Sequence, residues 1–306
     1  MEKVQWYPGH MHKASREIRE ALSGVDVVVE LLDARLPYSS ANPMLREICA
    51  QRPVVRLLTK SDMADPTWTE SWLTRYRQHH PGETRAITIR RKAEIMQLAR
   101  LCRAEKPNQK GLIVAMVAGI PNVGKSTLIN ILAGKVVATT GNEPAITRQQ
   151  QRVVIGQDVV LLDTPGVLWP NLENPHGGFR LAATGAVRET ALSHLEVAIF
   201  LAGFLAAEHL HVLVDRYVTN EVETDPHNIL QEIGRRRGCL GPGGVVDLDR
   251  AARVLLNDFR SGALGRITLE TPAMVEEEWK SVAREREEKA RRKAERKAAR
   301  KGRNVD

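Results

Sequence analysis

With 306 residues, 42% hydrophobic and 27% charged, the chain is long enough for one full domain and a second, smaller one, with the composition of an ordinary soluble globular protein. The longest apolar run, residues 197–207, is too short to span a bilayer and reads as a buried helix; the N-terminus lacks the apolar core of a signal peptide. Cys49, Cys102 and Cys239 stand far apart, as reduced thiols of a cytoplasmic protein do, and the net charge of +8 is concentrated in residues 280–306, which hold 12 basic and 5 acidic side chains.

In chain order, Trp6-Tyr7-Pro8-Gly9-His10-Met11 precedes a predicted helix at 13–22. Residues 25–32 form an apolar, β-branched run that fits a buried parallel strand, left through Asp33-Ala34-Arg35-Leu36-Pro37. A helix at 43–50, a strand at 54–58, a helix at 66–79, a strand at 85–89 and a helix at 93–104 follow. A strand at 111–118 leads into a helix at 126–132, and two short strands are predicted at 152–155 and 159–162. Alternating strands and helices predict a parallel-rich, doubly wound α/β sheet over 1–170. Beyond it the pattern turns helical, at 184–216, 228–234 and 248–261, which predicts a small all-helical domain over 171–272. Residues 273–306 form a basic tail, either a solvated helix or disordered.

Gly119-Ile120-Pro121-Asn122-Val123-Gly124-Lys125-Ser126 matches the full phosphate-loop pattern and falls between an apolar strand and a helix. Its glycines let successive N–H groups, from Asn122 and Val123 through Gly124 to Thr127, face phosphates, and the helix adds its positive end. Lys125 reaches the β and γ phosphates and the Ser126 hydroxyl holds Mg²⁺. Asp163-Thr164-Pro165-Gly166 supplies a carboxylate for the Mg²⁺ shell and, in the Gly166 N–H, a contact to the γ-phosphate. Thr147 is placed to be a second hydroxyl ligand, though a plain loop threonine is the alternative.

Thr59-Lys60-Ser61-Asp62 follows a strand, as a base-reading loop should. A carboxylate at Asp62 accepts from the guanine N1–H and 2-amino group, which adenine cannot supply, and Lys60 can cover the base face. The usual first residue of this signature is Asn; Thr59 removes an amide that anchors the loop, so guanine preference with weaker affinity is expected. Residues 88–90 are the expected site of the last base-contacting loop.

The order of these parts is unusual, because the base signature precedes the phosphate loop. In this order they resemble the circularly permuted GTPases, and within them the ribosome biogenesis GTPase A family of the hydrophobic-substituted class. The N-terminal Trp6–Met11 signature, Arg237-Gly238-Cys239, Asp258-Phe259-Arg260-Ser261-Gly262 and Leu264-Gly265-Arg266 carry the likeness across residues 4–270. It implies hydrolysis of GTP with Mg²⁺ in late assembly of the large (50S) ribosomal subunit. It also implies a precursor particle and its rRNA as partners, a monomer, and release after particle-stimulated hydrolysis. Val167 stands where other GTPases carry a water-positioning Gln, so the resemblance points to His10 as the catalytic residue, with a structural or RNA-contacting histidine as the alternative. It also points to Asn122 as a K⁺ ligand beside the phosphates, with a plain turn residue as the alternative. The tail reads as an rRNA contact, against a solubilising helix. A different class of function stays open: an RNA-binding maturation module in which nucleotide is mainly structural. A free-standing metabolic NTPase is disfavoured, since no separate small-substrate pocket announces itself.

Overall fold

The computed structural model describes residues 16, 18–49, 51–137, 152–164, 166, 168–169, 174–187, 192–217 and 224–302, with side chains through residue 292. His10, Thr147 and Val167, with the whole Trp6–Met11 signature, lie outside the described residues.

Six strands form one sheet in the order β3-β2-β1-β4-β6-β5. They are β1 (Val27–Asp33), β2 (Val54–Thr59), β3 (Thr84–Ala86), β4 (Ile113–Gly119), β5 (Arg152–Ile155) and β6 (Val159–Asp163). All seven residues of β1 are buried, as a central strand covered on both faces requires. Its register pairs Asp33 with Thr59 on one side and Leu31 with Gly119 on the other, while Val117 of β4 pairs with Asp163. The C-terminal ends of four parallel strands therefore bring Asp33, Thr59, Gly119 and Asp163 to one edge. The chain steps outward from β1 through β2 to β3, then returns to β4 on the opposite side of β1. That reversal makes the edge between β1 and β4 the switch point at which open α/β sheets bind ligands. β5 departs from the parallel pattern: it runs antiparallel to β6 as an edge strand whose residues alternate between exposed and buried.

The helices α1 (Pro43–Ile48), α2 (Pro66–His79), α3 (Lys92–Ile95), α4 (Leu98–Ala104) and α5 (Lys125–Ala133) flank the sheet. α2 begins with Asp65 accepting from Thr67 and Trp68 N–H and with Pro66 at its first position, the N-terminal punctuation expected of a stable helix. The expected strand at 85–89 is shorter, because after Ala86 the chain turns to pass under the base signature: Ser61 N–H donates to the Ile87 carbonyl. The expected helix at 93–104 is broken between Ile95 and Leu98.

The expected helix at 184–216 is two helices, preceded by a separate one. α6 (Pro175–Ala183) ends before residue 184, and the chain then turns at Gly185, whose φ of +77° suits glycine. A reciprocal Ser193–Glu196 capping box then starts α7 (His194–Glu208), and a 110° bend at His209 leads into α8 (Leu210–Tyr217). α7 buries Val197, Ala198, Leu201, Ala202 and Leu205 among α9 (Pro226–Arg236) and α10 (Leu248–Ser261). Among the described residues no single helix is long and apolar enough to cross a membrane. The tail is helical: α11 runs from Pro272 to Gly302. Its base is fixed by buried Val275, by Glu276 against Arg75 at 2.5 Å, and by Glu278 against Arg180 and Asn174.

Candidate nucleotide site

The phosphate loop leaves β4 and closes onto α5 with Gly124 at φ +104°, a conformation side chains resist. Asn122 holds φ +57° without being glycine, so its neighbours must fix it. They do so from two directions. Its carbonyl accepts from Lys60 Nζ at 2.7 Å, and its side-chain Nδ2 donates to the Gly185 carbonyl at 2.7 Å. Lys125 is buried, and its Nζ folds back to donate to the carbonyls of Gly119 at 3.0 Å and Ile120 at 2.6 Å. Burial lowers its ammonium to about 8, against the pull of Asp163 and with the help of Lys60. A Cβ on Gly166 would fall 2.8 Å from Pro121 Cα and 2.9 Å from Lys125 Nζ, so glycine is what lets this loop lie against the phosphate loop.

Asp163 is 1% exposed, and neither of its carboxylate oxygens has a hydrogen-bond partner among the described residues. Burial raises its carboxyl despite the nearby Lys125. An uncompensated buried carboxylate beside a phosphate loop is the donor chemistry that suits a hard divalent cation. Ser126 follows Lys125 at the start of α5, and Thr164 next to Asp163 donates its hydroxyl to the Val117 carbonyl at 2.7 Å, fixing the strand end.

On the base side, Thr59 corrects an expectation. Its Oγ1 lies 2.7 Å from the Val123 carbonyl and 3.0 Å from the Leu32 carbonyl, so the hydroxyl ties the base loop to the phosphate loop. Anchoring survives the loss of Asn because a short donor suffices where two backbones lie this close. Lys60, at φ +57°, spans from this loop to Asn122 and to Asp33 Oδ2 at 2.9 Å. Asp33 is in turn gripped by Arg35, whose Nε and Nη2 donate to its two oxygens at 2.9 and 2.7 Å. Burial works to raise the Asp33 carboxyl, but Arg35 and Lys60 overcome it and hold it well below the usual carboxylate range. Asp62 accepts from Thr88 Oγ1 at 2.8 Å on one oxygen and meets Arg90 Nε at 3.1 Å on the other. The loop at 88–90 thus converges on the carboxylate expected to read the base.

The sequence reading missed the Asp33–Arg35 support under Lys60, although an acid and a base two residues apart at a strand end signalled it. It also missed Glu270, fully buried, which takes Ser39 N–H at 2.8 Å, the Ser39 hydroxyl at 2.5 Å and Arg180 at 3.5 Å. A glutamate in a polar stretch gives no sequence signal for such burial.

Comparison with known proteins agrees with this geometry. Residues 114–233 match the model of the 50S ribosome-binding GTPase family; the match starts inside β4 and takes in the phosphate loop and Asp163 but not Thr59–Asp62, as a permuted order requires. The solved GNP-bound YlqF from T. maritima superposes with a TM-score of 0.62 at 24% identity, covering 85% of this chain and 98% of its own, and shows the same fold. The protein named Mitochondrial ribosome-associated GTPase 1 from Mus musculus is 33% identical, over 87% of this chain and 90% of its own. The protein named Ribosome biogenesis GTPase A from Priestia megaterium is 41% identical over 285 residues, 90% of this chain and 99% of its own. A phosphate loop and two aspartates, Asp62 and Asp163, gathered at one sheet edge, with likeness over nearly the whole length, show that this chain belongs to the ribosome biogenesis GTPase A family and hydrolyses GTP.

Proposed function

We propose that the chain acts in late assembly of the large ribosomal subunit, binding the precursor particle in its GTP state and leaving after hydrolysis that the particle stimulates. The observation that carries this reading is the near end-to-end likeness to the Priestia megaterium protein, which joins the nucleotide edge and the helical region in one unit. In this reading Asp62 and Lys60 receive the guanine, Thr59 fixes their loop, and Val123, Gly124, Ser126 and Thr127 present N–H groups to the phosphates. Lys125 would leave the Gly119 and Ile120 carbonyls for the β and γ oxygens, and Gly166 would report the γ-phosphate. Ser126, Thr147 and Asp163 would hold Mg²⁺, which supplies positive charge to the phosphate oxygens. Asn122 would hold K⁺ through its amide oxygen, adding the charge an arginine finger supplies elsewhere. His10 would orient water, a task the aliphatic Val167 cannot perform. The division into a GTPase domain (1–170), a helical RNA- or ribosome-binding domain (171–272) and a basic tail that contacts rRNA belongs to the same proposal, as do a monomeric state and a cytoplasmic setting.

GTP turnover in K⁺ buffer, with and without purified large subunits, tests it. Strong stimulation is expected, lost in His10→Ala with GTP affinity kept. Turnover that stays slow in both conditions would overturn it in favour of an RNA-binding module with structural nucleotide.

A further inference from the structure

The stretch Asp258-Phe259-Arg260-Ser261-Gly262, singled out in the sequence for its likeness alone, occupies a junction between the helical region and the nucleotide loops. Its first residue serves the helical region itself: Asp258 accepts from Arg216 at 2.9 and 3.1 Å and from Tyr217 and Arg237, each at 3.1 Å. The next residues face the sheet. The Arg35 guanidinium lies 5.1 Å from the Phe259 ring centroid, a cation–π distance. Gly262 lies against Met63, next to the base-reading Asp62; a Cβ there would meet Met63 Cγ at 3.3 Å. The chain that follows is stitched to the same loops, with Ile267 N–H donating to the Met63 carbonyl at 3.0 Å and Leu269 N–H to the Arg35 carbonyl at 2.7 Å.

Arg260 makes the contact that leads toward the phosphate loop. Its Nε donates to the Ala183 carbonyl and its Nη2 to the Ala182 carbonyl, both at 3.0 Å. These are the last carbonyls of α6, where the helix dipole favours a cation, and the Ala182 carbonyl also accepts the Gly185 N–H at 3.0 Å. Two residues on, Gly185 turns with φ +77° in ordinary contact range of Arg260, where a Cβ would sit 3.4 Å from Nε. The carbonyl that this turn presents is the one that receives Asn122 Nδ2. Asn122 is a left-handed, non-glycine residue two positions before Gly124, so its conformation depends on this acceptor and on Lys60.

We propose that Arg260 is a positioning residue for the phosphate loop, acting through the end of α6 and the Gly185 carbonyl to hold Asn122. Packing of the helical region is thereby linked to the affinity for nucleotide phosphates, over a path of three hydrogen-bonded steps.

The test uses the full chain and a fluorescent GDP analogue, with thermal unfolding followed in parallel. Arg260→Gln is expected to weaken binding about fivefold, the worth of about one hydrogen bond. Asn122→Ala is expected to weaken it at least as much. The double variant should bind no more weakly than Asn122→Ala alone, because the effect of Arg260 passes through Asn122. Arg260→Lys, which can still donate to one carbonyl, should recover part of the loss. Unchanged affinity in Arg260→Gln, or a double variant showing the full product of both losses, overturns the proposal. Should Arg260→Gln fail to fold, Arg260→Lys made in the Asn122→Ala background decides: no added loss supports the linkage, and further weakening overturns it.

Discussion

Two aspartates on the same sheet edge have opposite surroundings. Asp62 has a donor from the protein on each oxygen, Thr88 on one and Arg90 on the other. Asp163, more deeply buried, has none among the described residues. The Asp62 loop is therefore already satisfied by the protein, and in the proposed function Asp62 would exchange these partners for the base. Asp163 carries its charge at a cost, which the Mg²⁺ of the proposed function would relieve. Selectivity can reside in a loop that is satisfied either way, whereas the phosphate side carries a built-in demand for ligand.

The largest test of this contrast is Asp163→Asn. Turnover supported by Mg²⁺ should fall at least about 100-fold, while the ligand-free protein gains on the order of 1 kcal/mol in thermal or urea unfolding. The signs oppose because burial raises the Asp163 carboxyl: its ionisation costs the folded state, and its contribution to stability falls as pH rises past the ordinary carboxylate range. A ligand-free protein destabilised by this change would erase the contrast. Next, Asp62→Asn should lower GDP affinity about 100-fold in a fluorescence titration, since the amide cannot take both guanine donors; affinity within threefold of wild type would mean the base is read elsewhere.

Lys125 sharpens the picture on the phosphate side. Its ammonium, held down to about 8 in the free protein, rises once phosphate oxygens replace the Gly119 and Ile120 carbonyls. Nucleotide binding at pH 8 should then take up about half a proton. Calorimetry in two buffers of different ionisation heat measures it, and identical heats would contradict a depressed Lys125. The smallest effect belongs to Arg90→Ala. Arg90 is 76% exposed, so its pair with Asp62 is screened, and GDP affinity should change by less than about fivefold.

Much of this edge was legible in the sequence because local patterns fix it. The phosphate loop needs glycine at special φ, and the base signature needs a strand end; both demands act over a few residues. The parallel-rich, doubly wound sheet followed from alternating strands and helices. Contacts between segments far apart in the chain were not legible. Thr59 looked like the loss of an anchor, because the distance to the Val123 carbonyl is set by strand pairing and not by neighbours. The run at 184–216 looked like one helix because apolar composition hides Gly185, the Ser193 cap and the His209 bend. Arg260 was marked only by likeness and Glu270 not at all, since Ala183 lies 77 residues from Arg260 and Ser39 lies 231 residues from Glu270.

The long C-terminal helix has a mechanical consequence. α11 is fastened at its base, through Glu278, to Arg180 and Asn174 of the segment that follows Gly166 in the chain. From residue 280 to 302 it extends about 33 Å at the helical rise. A rotation of about 10° at its base displaces its tip by about 6 Å over that length. Residues 289–301 hold eight basic side chains and one acidic one, so the far end of this lever is also where the charge of the molecule is gathered. A displacement too small to register at the nucleotide becomes, at that tip, roughly the spacing between successive phosphates of a nucleic-acid strand.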